Sequence, residues 1–110
     1  MASVTNLTID QGTTYSTTFT VEDATGTVRD LTNYTARSQL RRSYYTSANT
    51  SFTANISDPG SGNVVLSLTA TQTAALKPGR YVYDVELVSN TAAVERIVEG
   101  IITVTPEATK

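Results

Sequence analysis

The chain has no cysteine, no histidine and no tryptophan among its 110 residues. Without cysteine no disulfide can staple the fold, so stability rests on the core and the hydrogen-bonded ladders, and either redox compartment is open to it. The joint absence of cysteine and histidine removes the usual nucleophile and base pairings and most zinc and copper sites. A general base would have to be a carboxylate or a lysine, and the two lysines, Lys77 and Lys110, fall in a corner and at the terminus. The expectation is a non-enzymatic protein with no cofactor and no metal. Charge is also sparse: charged residues make up 16% of the chain, and 8 basic against 10 acidic side chains leave a net charge of -2. The basic residues form no long run, which argues against neutralising a phosphate backbone, so no nucleic-acid partner is expected. No stretch approaches the roughly 20 apolar residues of a spanning helix. The opening MASVTNLTID lacks the basic and apolar regions of a signal peptide, and no membrane partner is expected.

What fills the chain instead is hydroxyl: 21 threonines and 10 serines. Threonine is β-branched and tolerates either face of a sheet, so this composition favours strands with uncharged, hydrogen-bonding outer faces. The length suits one domain with one core, spanning 1–110 with short flexible termini near 1–4 and 106–110. Four glycosylation sequons, at Asn6, Asn33, Asn49 and Asn55, are expected by chance in so threonine-rich a chain.

Period-two alternation recurs along the sequence. Val4, Leu7 and Ile9 mark a short first strand at an edge, and Tyr15, Thr17, Phe19 and Val21 a second. The turn DATG precedes TVRDL, read as a short return strand. In 34–42, Ala36, Ser38 and Leu40 point one way, and Arg37, Gln39 and Arg41 the other. Phe52, Ala54 and Ile56 line the inner face of a further strand, closed by DPGSG. NVVLSLT, RYVYDVELV and AVERIVEGIITVT complete seven to nine short, evenly spaced strands. The expected core is Phe19, Val21, Leu40, Phe52, Ile56, Val64, Leu66, Leu68, Leu76, Tyr81, Tyr83, Val85, Ile102 and Val104.

The segment LSLTATQTAALKPGRYVYDVEL, residues 66–87, is the most specific. Thr69 and Gln72 have capping-box spacing, predicting one helical turn near 70–76, and Pro78 and Gly79 stop it and bend the chain. A strand, a capped turn, a Pro-Gly bend and a strand entering on tyrosine is the layout between strands E and F of an immunoglobulin-like sandwich. There a tyrosine near the start of F bonds back across the corner, a part assigned to Tyr81. Tyr83 falls where antibody domains place a disulfide cysteine, so a ring fills that part of the core. The predicted fold class is all-β: an immunoglobulin-like antiparallel β-sandwich with one short helical turn.

Asp84 and Glu86 on one strand, with Glu95 and Glu99 on the next, fall on faces opposite the core. A calcium site or a glycosidase-like carboxylate pair is one reading. The other sets strand 34–42 beside the strand of Tyr81, with Arg37 and Arg41 across from Asp84 and Glu86 in an ion-pair ladder that accounts for these charges. Ile97 and Ile101 fall outside by strict alternation. Either a bulge near Gly100 returns Ile101 to the core, or the two form an apolar patch for a partner. Arg37, Arg41, Asp84, Glu86, Ile97 and Ile101 are therefore the candidate protein-interface residues. Arg41 and Arg42 followed by Tyr44 and Tyr45 could stack on rings of a nucleic acid or glycan, or serve as rim residues.

The run DLTNYTARSQLR at 30–41, the F-x-A-x-I-x-D strand, ALKPGRYVYDV at 75–85 and VERIVEGIITVTP together resemble a small β-sandwich module. That module recurs in virion structural proteins of tailed phages, especially phages of cyanobacteria, and is similar to the N-terminal module of phage upper-baseplate proteins. The resemblance implies a particle component without catalytic residues, in which the motif residues determine the fold. Its partners would be other virion proteins, either the major capsid protein or tail and baseplate components, with a homo-oligomer in the particle. Localisation would be the virion, assembled in the cytoplasm of a bacterial host. The chain lacks the regions that follow the module in baseplate proteins, which favours a capsid decoration or cement protein docking on the head lattice. A neck, tail or baseplate adaptor is the alternative, and a carbohydrate- or host-surface-binding module a third.

Overall fold

The computed structural model describes residues 3–23 and 25–108. They form a β-sandwich. The larger sheet runs β1, β9, β8, β4, β5, with β2 also on β9, and the smaller runs β3, β7, β6. In chain order the elements are β1 (Ser3–Val4), β2 (Leu7–Asp10), β3 (Tyr15–Thr20), β4 (Thr35–Arg41), β5 (Thr50–Ser51) and β6 (Thr53–Asn55). A 3-10 turn (Pro59–Ser61), β7 (Asn63–Leu68), α1 (Ala70–Ala74), β8 (Gly79–Val88) and β9 (Val94–Thr105) follow. The expected short termini include residues 1, 2, 109 and 110, which lie outside the described residues. Within them, Ser3 and Val4 pair with Val98 and Glu99, and the Glu107 amide donates to Gln11 Oε1 at 3.2 Å.

The alternation that defines the strands is strictest in β7 and β8, whose inward residues Val64, Leu66, Leu68, Tyr81, Tyr83, Val85 and Leu87 are all buried. These two strands come from opposite sheets, so their apolar faces meet in the middle of the sandwich. Phe52 packs edge-on against Tyr83, with ring centroids 6.5 Å apart. Of the expected core, Phe19 and Ile56 are half-buried and the rest buried. Ile9, Leu31, Leu87, Ile97 and Val98 are buried as well.

Between β7 and β8 the corner takes the expected form. Thr69 Oγ1 accepts from the Gln72 amide at 3.2 Å, and Gln72 Oε1 accepts from the Thr69 amide at 2.8 Å, closing the capping box around α1. The Tyr81 hydroxyl donates to the Lys77 carbonyl at 2.7 Å across the Pro78 bend. Gly79 sits at φ 129, in the region that favours glycine, and a Cβ there would lie 2.5 Å from Arg42 Nη1. The Arg42 guanidinium lies 4.5 Å from the centroid of the Tyr81 ring and donates to the carbonyls of Pro78 at 3.0 Å and Arg80 at 3.2 Å. Arg42 therefore clasps the corner from outside.

The structure departs from the sequence reading in four places. The ladders of β1 and β2 with β9 are parallel, while all others are antiparallel. The return strand expected over 27–31 is a single bridge between Glu22 and Val28. The strand expected around Phe52 is split: β5 pairs with β4 in the larger sheet, β6 pairs with β7 in the smaller, and Phe52 is the crossing point. Its amide still donates to Ser38 O at 3.0 Å. Lastly, the bulge in β9 is at Ile97 rather than Gly100, since Val85 faces Val98 while Glu86 faces Arg96. Gly100 has another purpose: a Cβ there would come within 2.1 Å of Thr5 O, so glycine lets the N-terminal segment lie close on β9.

Replacing Tyr81 by Phe keeps the ring and removes only the bond to Lys77 O. A loss of about 0.5–1.5 kcal/mol is expected in denaturant unfolding; an unchanged midpoint would show that the hydroxyl does not hold the corner.

Candidate interaction face

The outer face of β4, β8 and β9 carries most of the charge on the larger sheet. Arg37 stands across from Glu86, as expected, and donates from Nε to Oε1 at 2.7 Å. Arg41 stands across from Val82 instead of a carboxylate. Its guanidinium donates to Thr46 O at 2.7 Å and Gln39 Oε1 at 2.9 Å, bracing the loop after β4. The reading that paired Arg41 with Asp84 or Glu86 is thereby corrected: Gln39 is the residue opposite Asp84.

The cation beside Asp84 is Arg96, at 3.4 Å, and Arg96 also meets Glu99 at 3.4 Å. The bulge at Ile97 is the cause. One extra residue inverts the side-chain alternation before it, turning Arg96 outward and taking Ile97 and Glu95 off the outer face. Ile97 is buried, 8% exposed, so it is no part of an exposed apolar patch. Glu95 pairs at 2.8 Å with Arg29 from the segment before β4. The four carboxylates expected on one face are thus divided, with Asp84, Glu86 and Glu99 on the outer face and Glu95 off it.

Ile101 stays outside, 38% exposed, in register with Val82. Together they make a small apolar spot beside Arg41, with Asp84 and Glu99 in the next cross-strand row and Arg37, Glu86 and Arg96 in the row beyond it. The Asp84 carboxyl is pushed above the usual range, first by burial and next by Glu86 and Glu99, against the opposing pull of Arg96 and Arg41. Charges so close to mutual compensation, beside a few exposed methyl groups, can dock a surface of matching pattern with little net field. Tyr44, 58% exposed, borders this face beside Gln39, Arg41, Val82 and Asp84, Tyr45 is 99% exposed, and Arg41 and Arg42 are turned back onto backbone carbonyls.

Arg96 is the charged side chain of this face that sequence reasoning passed over, and Arg42, read as a ring-stacking or rim residue, instead clasps the corner. No residue pattern announces the extra residue at Ile97 that turns Arg96 outward. The corner role of Arg42 had no signal either, because its partners there are backbone carbonyls.

A carboxyl whose folded pKa is raised binds its proton more tightly in the native than in the unfolded chain. Its ionised form therefore weakens the fold above that pKa, and the penalty fades as pH falls through it towards the ordinary aspartate value near 3.9. Asp84→Asn is expected to melt higher than the parent at neutral pH, with the gain vanishing below about pH 4. A variant that melts lower at neutral pH would show that pairing with Arg96 outweighs burial.

No family model matches the chain, and no curated protein matches it. Among solved structures it is similar to an internalin-like protein, lmo2027, of Listeria monocytogenes, with 14% sequence identity and a TM-score of 0.48. That similarity covers 94% of this chain and 28% of the other, so the chain spans less than a third of that protein's length. No functional assignment follows from a likeness at that level.

Proposed function

We propose that the chain is a non-enzymatic structural protein of a tailed-phage virion, a decoration or cement protein that docks on the head lattice through the outer face of its larger sheet. The observation that carries this reading is where the two runs that resemble virion modules meet. Ser38, Gln39, Leu40 and Arg41 of the first lie in register against Val85, Asp84, Tyr83 and Val82 of the second. Both runs therefore build one continuous patch, with a buried side held by Leu40 and Tyr83 and an outer side that displays Arg37, Asp84, Glu86 and, from β9, Ile101. Such a patch suits repeated, individually weak contacts, because many copies on a lattice bind with the avidity of the array. The major capsid protein is the partner of this reading.

A neck, tail or baseplate adaptor uses the same face against a different partner. The exposure of Tyr44 and Tyr45 favours a second class of function, contact with a glycan or host surface by stacking. Electron microscopy of the virion, with and without this chain, separates them. The decoration reading expects density on the head in numbers on the order of hundreds, as a capsid lattice supplies, whereas about six to twelve copies would mean neck or tail. Unaltered density throughout the particle, with binding of the isolated protein to a glycan array, would replace the virion reading with the second class.

A further inference from the structure

We propose that β3 is a self-pairing edge, through which two copies of the chain join their smaller sheets antiparallel about a two-fold axis at Thr18. This inference rests on the edge alone and is independent of where the protein acts.

Among the described residues the smaller sheet ends on β3, which pairs with β7 over six residues without a bulge. The Val21 amide continues that ladder, donating to Gly62 O at 2.8 Å. In an antiparallel ladder alternate residues bond to the same neighbour, so Tyr15, Thr17 and Phe19 spend their amides and carbonyls on β7. Ser16, Thr18 and Thr20 turn theirs to the open side, three donors and three acceptors in a row.

Natural sheets blunt such edges with short strands, charges, prolines or bulges. The other edges here are blunted: β5 has 2 residues, β6 has 3, and β1 and β2 are interrupted at Thr5 and Asn6. None of these devices is present on β3. No charged residue occurs between Asp10 and Glu22. The adjoining outer face, Asn63, Val65 and Ser67 of β7, is uncharged too.

A two-fold at Thr18 satisfies the open groups of both copies. Thr18 faces Thr18, and Ser16 faces Thr20 of the second copy, each a hydrogen-bonded pair. The first charge beyond the strand, Glu22, falls opposite Thr14, so no like charges meet. On the inner face Phe19 meets Thr17, and Val21 meets Tyr15, which extends the apolar row across the axis. A second copy is the occupant argued for because its edge repeats the same neutral hydroxyl pattern and the same six groups.

The absence of cysteine makes the test clean. Residues facing each other in a hydrogen-bonded antiparallel pair have Cα atoms about 5.5 Å apart, within disulfide range. Under mild oxidation Thr18→Cys is expected to form a covalent dimer at least about tenfold faster than Ser16→Cys, whose two copies are held several residues apart. In sedimentation up to about 1 mM the parent is expected to dimerise and Thr18→Lys to remain monomeric with its melting temperature unchanged. Equal cross-linking of the two cysteine variants, or a parent that stays monomeric at that concentration, would overturn the proposal.

Discussion

The hydrogen bond from the Tyr83 hydroxyl to the Thr5 carbonyl, 2.6 Å long, sets how the rest of the sandwich is arranged. Tyr83 is 1% exposed, and a phenol in such a place must find an acceptor or leave a donor unpaired in the core. Burial drives its pKa far above the ordinary tyrosine value, so it remains a donor. The acceptor is within reach because Gly100 has no side chain to hold Thr5 away. The Thr5 amide then donates to Glu99 O at 2.9 Å, and Asn6 Oδ1 accepts from the Ile101 amide at 3.1 Å. The N-terminal segment is thereby committed to the larger sheet. Among the described residues the smaller sheet carries no strand beyond β3.

Around that bond the other features fall into an order. The corner from Thr69 to Tyr81 joins the two sheets rigidly, because its capping box, its tyrosine and the Arg42 clasp satisfy backbone groups that a bend would leave open. With β8 fixed by its own corner, β4 and β9 take register from it on either side. The bulge at Ile97 then decides which charges face out, and with them the character of the proposed docking face. A chain without cysteine or histidine thus achieves a fixed architecture through its apolar core, its ladders and a few buried hydroxyls.

The strands with strict alternation, β7 and β8, and the corner between them were legible in the sequence because each is determined by contacts near in the chain. Tyr81 and Lys77 are four residues apart, and Thr69 and Gln72 three. Leu31 was not legible as core, since it lies in an irregular segment anchored by its amide to Pro59 O. Glu95 and Ile97 were assigned to the wrong face because one extra residue in β9 inverts the alternation, and period-two reasoning has no means to count it. The split at Phe52 was hidden for a related reason: the alternation continues through 52–56 while the hydrogen-bonding partner changes sheet. Arg37 and Glu86 were found because they are directly opposed, whereas Arg41 turned to loop carbonyls that no pattern announces.

The claim that the Tyr83 hydroxyl commits the N-terminal segment to the larger sheet is tested most directly by native-state hydrogen exchange on Tyr83→Phe. The ring remains to fill the core, and only the bond to Thr5 is lost. Protection is expected to fall by about tenfold at the Thr5 and Ile101 amides, while amides in the β4 to β8 ladder exchange as before. Unchanged protection at Thr5 and Ile101, or an equal loss across every strand, would contradict the account.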